Sequence, residues 1–345
     1  MRLFKKKNKN SLKKNPIINY FNTKLLEIEF QNKYCAIYDR LEKNKDLYSK
    51  YLNQEPILTI CMPAYNGQND IVRALESILM QETTYKYKIW IFDDCSTDNT
   101  LKIAKAYKEK YPDIFEIFEN EKNECGKTVG YKIYNSVKTK YWMNVDQDDY
   151  WLSKDKMQRF LDFLESHPDY TMASSNIIVK GNNVFHKVYN GDEKCITVTF
   201  YEYPVPKGIL MQTSATMYRN VFTKEDLDLI NSYKGKEEEP AIWGDTFRNI
   251  YALSKGKCHY ENSIDSVYTW TESGTWSKLN EGQQEFYNLE QMYLLINFFK
   301  KPEHKKQMKL CAQYYLKRTD KKIHMLNEEE LKKLEKFKKV LNNAI

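Results

Sequence analysis

From residue 57 onward, short apolar runs alternate with amphipathic stretches. Ile57-Leu58-Thr59-Ile60-Cys61-Met62 reads as a buried strand. Residues 69–81 follow as a helix with Ile71, Leu75, Ile78 and Leu79 on one face. Ile89-Trp90-Ile91-Phe92 predicts a second strand, ending in Asp93-Asp94. Ser96-Thr97-Asp98 opens a helix that runs to about Lys110 and stops before Pro112. Ile114 to Phe118 is a third strand, 127–138 a helix, and Tyr141 to Val145 a fourth strand ending in Asp146-Gln147-Asp148-Asp149. This alternation builds βαβ units and a mostly parallel α/β sheet. Such sheets bind ligands beyond the carboxyl ends of their strands, where both acidic clusters fall.

Farther on, 153–166 reads as a helix stopped by Pro168, and 170–221 as strand-rich with turns at Gly181-Asn182-Asn183 and Asn190-Gly191-Asp192. Residues 241–254 form a helix, 257–270 short strands, and 280–345 two or three helices. Before the first strand, 24–52 carries an imperfect apolar stripe (Leu25, Ile28, Cys35, Leu41, Leu47, Tyr51) that suits one or two helices ended by Pro56. The pattern divides the chain into a partly helical extension (1–55), an α/β domain (56–280, with a break near 152) and a helical region (281–345). No internal repeat is visible.

The 14% aromatic content of the 345 residues argues against a disordered chain, and only 11 Gly and 9 Pro exclude collagen-like sequence. No apolar run approaches the ~18 residues of a membrane-spanning helix. Charge changes the picture more. Residues 1–14 hold seven Lys or Arg and no acid; residues 300–345 hold 14 bases and 6 acids; the body between has 33 bases and 41 acids. An acidic body with basic ends is a poor nucleic-acid reader. Basic ends suit the surface of an anionic membrane, or serve as solvated tails; both readings stand at this level. Seven scattered cysteines without a CxxC pair indicate reduced thiols, and hence a cytoplasmic protein. The opening MRLFKKKNKN lacks an apolar core, since Lys13, Lys14 and Asn15 follow, which argues against a secretory signal. The five histidines show no metal-ligand spacing.

The acidic strand ends carry the chemistry. Three carboxylates within the four residues Asp146-Gln147-Asp148-Asp149 repel one another unless a cation lies among them. Mg²⁺ takes one or two carboxylates together with substrate phosphates, so this loop reads as a site for a metal-bound diphosphate. The alternative is a solvated turn of capping aspartates.

Met62-Pro63-Ala64-Tyr65-Asn66-Gly67, then Phe92-Asp93-Asp94-Cys95-Ser96-Thr97-Asp98, then Asp146-Gln147-Asp148-Asp149-Tyr150-Trp151, in this order and spacing, resemble the family 2 glycosyltransferases of GT-A fold. Later blocks at Gln212 to Asn220, Trp243-Gly244-Asp245 and Tyr268 to Ser277 extend the resemblance over about 56–280. It implies a nucleotide-binding half (56–152) and an acceptor half (153–280). Pro63, Ala64, Tyr65 and Asn66 would line the donor base, and Asp94 would hydrogen-bond it. Asp146, with Gln147 beside it, would lie against the ribose and diphosphate. Asp148 and Asp149 would hold Mn²⁺ or Mg²⁺, Asp148 being the preferred ligand. Asp245 matches the general base, although an N-cap role also suits it. Trp151 and Lys156 would pack behind the metal loop. Read on their own chemistry, Trp243, Trp270 and Trp276 suit either stacking on an acceptor sugar or packing in the core. Many members carry an Arg-Asn pair in the helix before the DxDD strand; here Lys127 or Lys132 would supply that charge to the diphosphate.

The implied reaction is a single displacement with inversion. It moves a sugar from a UDP-sugar, or a dTDP-sugar, to a lipid-linked or polysaccharide acceptor at the inner face of the cytoplasmic membrane. A non-catalytic nucleotide- or glycan-binding subunit is the alternative. A dinucleotide oxidoreductase lacks its GxGxxG turn, where Pro63-Ala64-Tyr65-Asn66-Gly67 stands instead.

Overall fold

The computed structural model describes residues 53–342 except 125–126, 182–183, 188–190, 203–210, 237–238, 240–243 and 273. The helices expected at 24–52 and the basic N-terminal stretch lie outside these residues. In chain order the elements are β1 (Leu58–Ala64), α1 (Ile71–Leu79), β2 (Tyr87–Asp93), α2 (Thr100–Lys110), β3 (Phe115–Glu119), α3 (Lys127–Ser136), β4 (Tyr141–Asn144) and β5 (Tyr150–Trp151). Then come α4 (Lys156–Ser166), β6 (Tyr170–Gly181), β7 (Val184–Lys187), β8 (Cys195–Val198), β9 (Thr216–Arg219) and α5 (Lys224–Ser232). The last are α6 (Asp245–Leu253), β10 (Lys257–Thr269), α7 (Glu281–Phe298), α8 (Pro302–Asp320) and α9 (Glu328–Asn342).

One sheet runs β3-β2-β1-β4-β9-β6-β10-β5, with β7 on β6 and β8 on β10. The first four strands are parallel, as the alternation requires. β9 enters antiparallel between β4 and β6. The registers Ala64↔Asp93 and Cys61↔Asn144 set the ends of β2 and β4 on either side of the end of β1, so both acidic turns leave the same edge.

Side chains alternate along β1. Leu58, Ile60 and Met62 pack under α1, α2 and α4; Cys61 faces the opposite core. That second core holds α6 and the C-terminal helices: Phe247, Ile250 and Tyr251 share one cluster with Leu289, Leu295 and Phe298. No described helix is long and apolar enough to cross a membrane.

Two expectations change. The short strands expected at 257–270 are one 13-residue strand, β10, broken by register shifts such as that between Glu261 and Ile264, which blur its period-two pattern. The helix α5 falls in 222–240, where the sequence pattern predicts no element; it is fixed by a capping box between Thr223 and Asp226 that the apolar periodicity does not signal.

Candidate active site

The two strand-end turns are tied together before any ligand is considered. Asn66 and Cys95 both take positive φ, 47° and 64°. In this geometry the Asn66 amide donates to Ser96 Oγ (3.0 Å), and Asn66 Oδ1 accepts from the Thr97 amide (2.8 Å). The Gly67 amide donates to Thr100 Oγ1 at 2.7 Å. Gln147 pairs with Tyr65 as a strand would: its Nε2 donates to Tyr65 O (2.7 Å), and its Oε1 accepts from the Tyr65 amide (3.1 Å). A Cβ on residue 67 would fall 2.2 Å from the Gln147 side chain, so this approach requires Gly67. Pro63, Ala64 and Tyr65 thus lie beside the Asp146–Asp149 loop, and the Tyr65 ring is 44% exposed.

On the far side, Asp94 Oδ1 accepts from Asn120 Nδ2 (2.6 Å) and from the Glu124 amide (3.0 Å). Lys132 Nζ donates in turn to Asn120 Oδ1. Lys132 is thereby tied, through Asn120, to the Asp94 side of the cleft. The Lys127 side chain and Trp243 lie outside what the structure describes. Trp276 is half-buried in the turn before α7, where its carbonyl accepts from Gln284 Nε2 at 3.2 Å.

Within the loop the carboxylates divide by environment. Asp149 is fully buried, and its oxygens are taken by protein donors: Ser214 Oγ (2.6 Å) and Gln212 Nε2 (2.8 Å) at Oδ2, the Thr269 amide (2.8 Å) at Oδ1. Three of its roughly four acceptor positions are filled. These contacts anchor the loop to the Gln212-Thr213-Ser214 turn and to β10. Ser214 Oγ also accepts from the Asp146 amide (3.1 Å), and Thr269 Oγ1 donates to Asp148 O (2.6 Å). The Asp148 carboxylate accepts no hydrogen bond from another described residue.

Electrostatics gathers the acids into one place. Burial first, then the neighbouring Asp148, pushes Asp146 up to about 7. Asp148 is raised as well, by burial and by Asp70, with Arg73 opposing. Tyr268 on β10 is held protonated by burial and by Asp149, Asp146, Asp148 and Asp245 together, so Asp245 converges on the same cleft. A site with this many carboxylates, only partly offset by Arg73 and Arg248, fits a hard divalent ion. Among the described residues no three acidic, histidine or cysteine side chains form a complete metal cage. The fit is therefore to an ion that draws its remaining ligands from phosphate and water.

Asp245 opens α6, but the N-cap is Gly244, and no described donor takes the Asp245 carboxylate. The capping alternative is thereby removed, leaving a half-buried carboxylate beside the metal loop.

One turn on stands a residue that sequence reasoning missed. Arg248 is only 6% exposed, and its Nη2 donates to Thr213 Oγ1 at 3.2 Å. Its charge also lies against the buried Tyr134 and Tyr218 and opposes the upward push on Asp146. The signal lay in a charge on the apolar face of α6, beside Phe247, Ile250 and Tyr251. Arg248→Met is expected to destabilise the fold by about 3 kcal/mol, because removing one member of a buried charged group strands the rest. Urea unfolding measures this, and Arg248→Lys should recover only part of it.

Behind the loop, Trp151 Nε1 donates to Ser214 O (2.7 Å), and Lys156 Nζ to Ser266 Oγ (2.6 Å) and Ser214 O (3.3 Å). Burial pushes Lys156 down to about 7. The unfolded chain therefore keeps this proton to higher pH than the native one. The lysine's burial costs most below about pH 7, and the cost fades as pH rises toward the ordinary lysine value. Lys156→Met should accordingly gain melting temperature relative to wild type at acid pH and lose that advantage at alkaline pH, as read by calorimetry across pH.

A mostly parallel α/β sheet flanked by helices, with acidic turns gathered at its carboxyl edge, defines the class of GT-A folds. Residues 59–224, a little under half of the chain, match Glycosyl transferase family 2, so the chain carries a domain that matches that family. TuaG of Bacillus subtilis, a glycosyltransferase named for teichuronic acid biosynthesis, is 30% identical over 112 residues, which cover 32% of this chain and 43% of the relative. The chain spans less than half the length of the curated relatives it matches. Among solved structures, S. aureus TarS 1–349 in complex with UDP superposes with a TM-score of 0.51 at 16% identity, covering 76% of this chain and 71% of TarS. The mannosyltransferase PcManGT of Pyrobaculum calidifontis, in complex with GDP-Man and Mn²⁺, gives 0.52 at 14% identity, covering 95% and 85%. At such identities these likenesses establish the fold, and it is the fold expected.

Proposed function

We propose that the chain is an inverting, divalent-metal-dependent glycosyltransferase that moves a sugar from a nucleotide diphosphate sugar to a hydroxyl of a growing surface glycan. The observation that carries this reading is the convergence of Asp146, Asp148 and Asp245 on one cleft, with Asp148 and Asp245 not engaged by described donors. Pro63, Ala64, Tyr65 and Asn66 form the wall against the base, and Asp94, held by Asn120, accepts from it. Asp146 and Gln147 lie along the ribose and diphosphate. Asp148 is the residue that holds Mn²⁺ or Mg²⁺, which when bound neutralises charge on the departing diphosphate. Asp245 takes the proton of the attacking hydroxyl, and its placement on α6, outside the metal loop, suits attack from the face opposite the leaving group. The metal in PcManGT and the nucleotides in both neighbours support these assignments by fold analogy. The name of TuaG supports a cell-wall or capsular glycan as acceptor, worked on at the inner face of the cytoplasmic membrane.

Isothermal titration with UDP-, dTDP- and GDP-sugars, with and without Mn²⁺, tests the donor half of this reading. Binding of at least one donor, strengthened by Mn²⁺, is the expected result. Failure of every donor to bind with the metal present refutes it.

A further inference from the structure

The basic C-terminal region is not uniform. Along α9 most lysines are engaged: Lys333 pairs with Glu290 (3.3 Å) and Lys338 with Asp320 (2.9 Å), Lys332 and Lys336 also have partners, and Lys339 has no ion-pair partner among the described residues. On α8 the pattern reverses. Met308, Cys311, Ala312, Leu316 and Thr319 are buried inward. The opposite face carries Lys306, Leu310, Tyr314 and Lys317, continued by Lys321 just past the helix. Leu310 is 54% and Tyr314 42% exposed. Lys306, Lys317 and Lys321 are exposed and have no ion-pair partner among the described residues. Spacing of three and four residues places all five side chains in one stripe.

We propose that this outward face of α8 docks the protein onto an anionic lipid surface, with Leu310 and Tyr314 entering the headgroup boundary and the three lysines meeting lipid phosphates. An interfacial helix needs both an apolar ridge and flanking cations, and this face has both. A soluble polyanion would use the lysines but has no need of an exposed leucine and tyrosine. A second copy of the chain is disfavoured, because a symmetric contact through this stripe would set lysines against lysines. The inference does not rest on the transferase chemistry.

Flotation of the full chain with vesicles of phosphatidylcholine and phosphatidylglycerol in equal parts, against pure phosphatidylcholine, tests it. The wild type should float only with the anionic vesicles. Each lysine near such a surface contributes about 1 kcal/mol, so K306Q/K317Q/K321Q should weaken partitioning roughly a hundredfold. L310S/Y314S should also lose it, and K332Q/K336Q/K339Q should lose much less. These side chains are exposed, and circular dichroism confirms that each variant is folded. Three results overturn the proposal: binding unchanged by the α8 lysine variant, which would assign it to another basic segment such as residues 1–14; binding lost with the lysines but kept in L310S/Y314S, which marks a general polyanion site; or a dimer in sedimentation that L310S/Y314S dissolves.

Discussion

Asp245→Asn is expected to reduce kcat by about a thousandfold while leaving donor affinity within a factor of about two. A positioned general base contributes typically 10²–10⁴-fold, and an amide of the same shape cannot accept the proton. The substitution is structurally quiet, because Gly244 rather than Asp245 caps α6 and no described donor depends on the carboxylate. Loss of turnover with unchanged melting temperature and unchanged donor binding therefore isolates proton transfer from folding. Activity retained in Asp245→Asn would remove Asp245 as the base and leave the donor site standing. Loss of donor binding instead would place Asp245 on the diphosphate rather than on the acceptor.

The contrast between Asp245 and its neighbour Arg248 shows which parts of the site were legible beforehand. The acids are readable because polar residues at the ends of apolar runs have few structural reasons to be there, and the topology of a parallel sheet says which strand ends share an edge. The parallel strands β1, β2 and β4 were legible too: largely buried, they read as near-continuous apolar runs. Arg248 was hidden because its importance depends on what packs against α6, namely Tyr134 on α3 and Tyr218 on β9, which lie far from it in sequence. The bulged β10 and the short α5 were hidden as well, since register shifts and capping boxes leave no periodicity. The division of labour between Asp148 and Asp149 is likewise a matter of tertiary contact. The two are adjacent and chemically identical, and only the arrival of Gln212, Ser214 and Thr269 from later in the chain separates them.

That separation yields the second large effect. Asp149→Asn should destabilise the fold, and Asp148→Asn should not. At position 149 the carboxylate accepts from Ser214 Oγ, Gln212 Nε2 and the Thr269 amide with no solvent nearby. An asparagine amide would direct its own N–H groups at one set of these donors, leaving buried donors unsatisfied at about 1–3 kcal/mol apiece. Part of that cost is offset because burial already raises the Asp149 pKa, so the native carboxylate is itself under strain from Asp146 and Asp148. A net loss of about 2 kcal/mol, read as a fall in the urea midpoint at constant slope, is the expected outcome. At position 148 no described residue depends on the side chain, and removing one of the crowded charges relieves repulsion, so the melting temperature of the metal-free protein should hold or rise. What Asp148→Asn should lose is the response to Mn²⁺: the added thermal stability, the tightening of nucleotide binding, and turnover by at least a hundredfold, the scale of a lost charge-stabilising group in an active site. The opposite pattern, with Asp148→Asn unfolding the protein and Asp149→Asn abolishing only the metal response, would exchange the two roles and require the loop to turn over when donor binds.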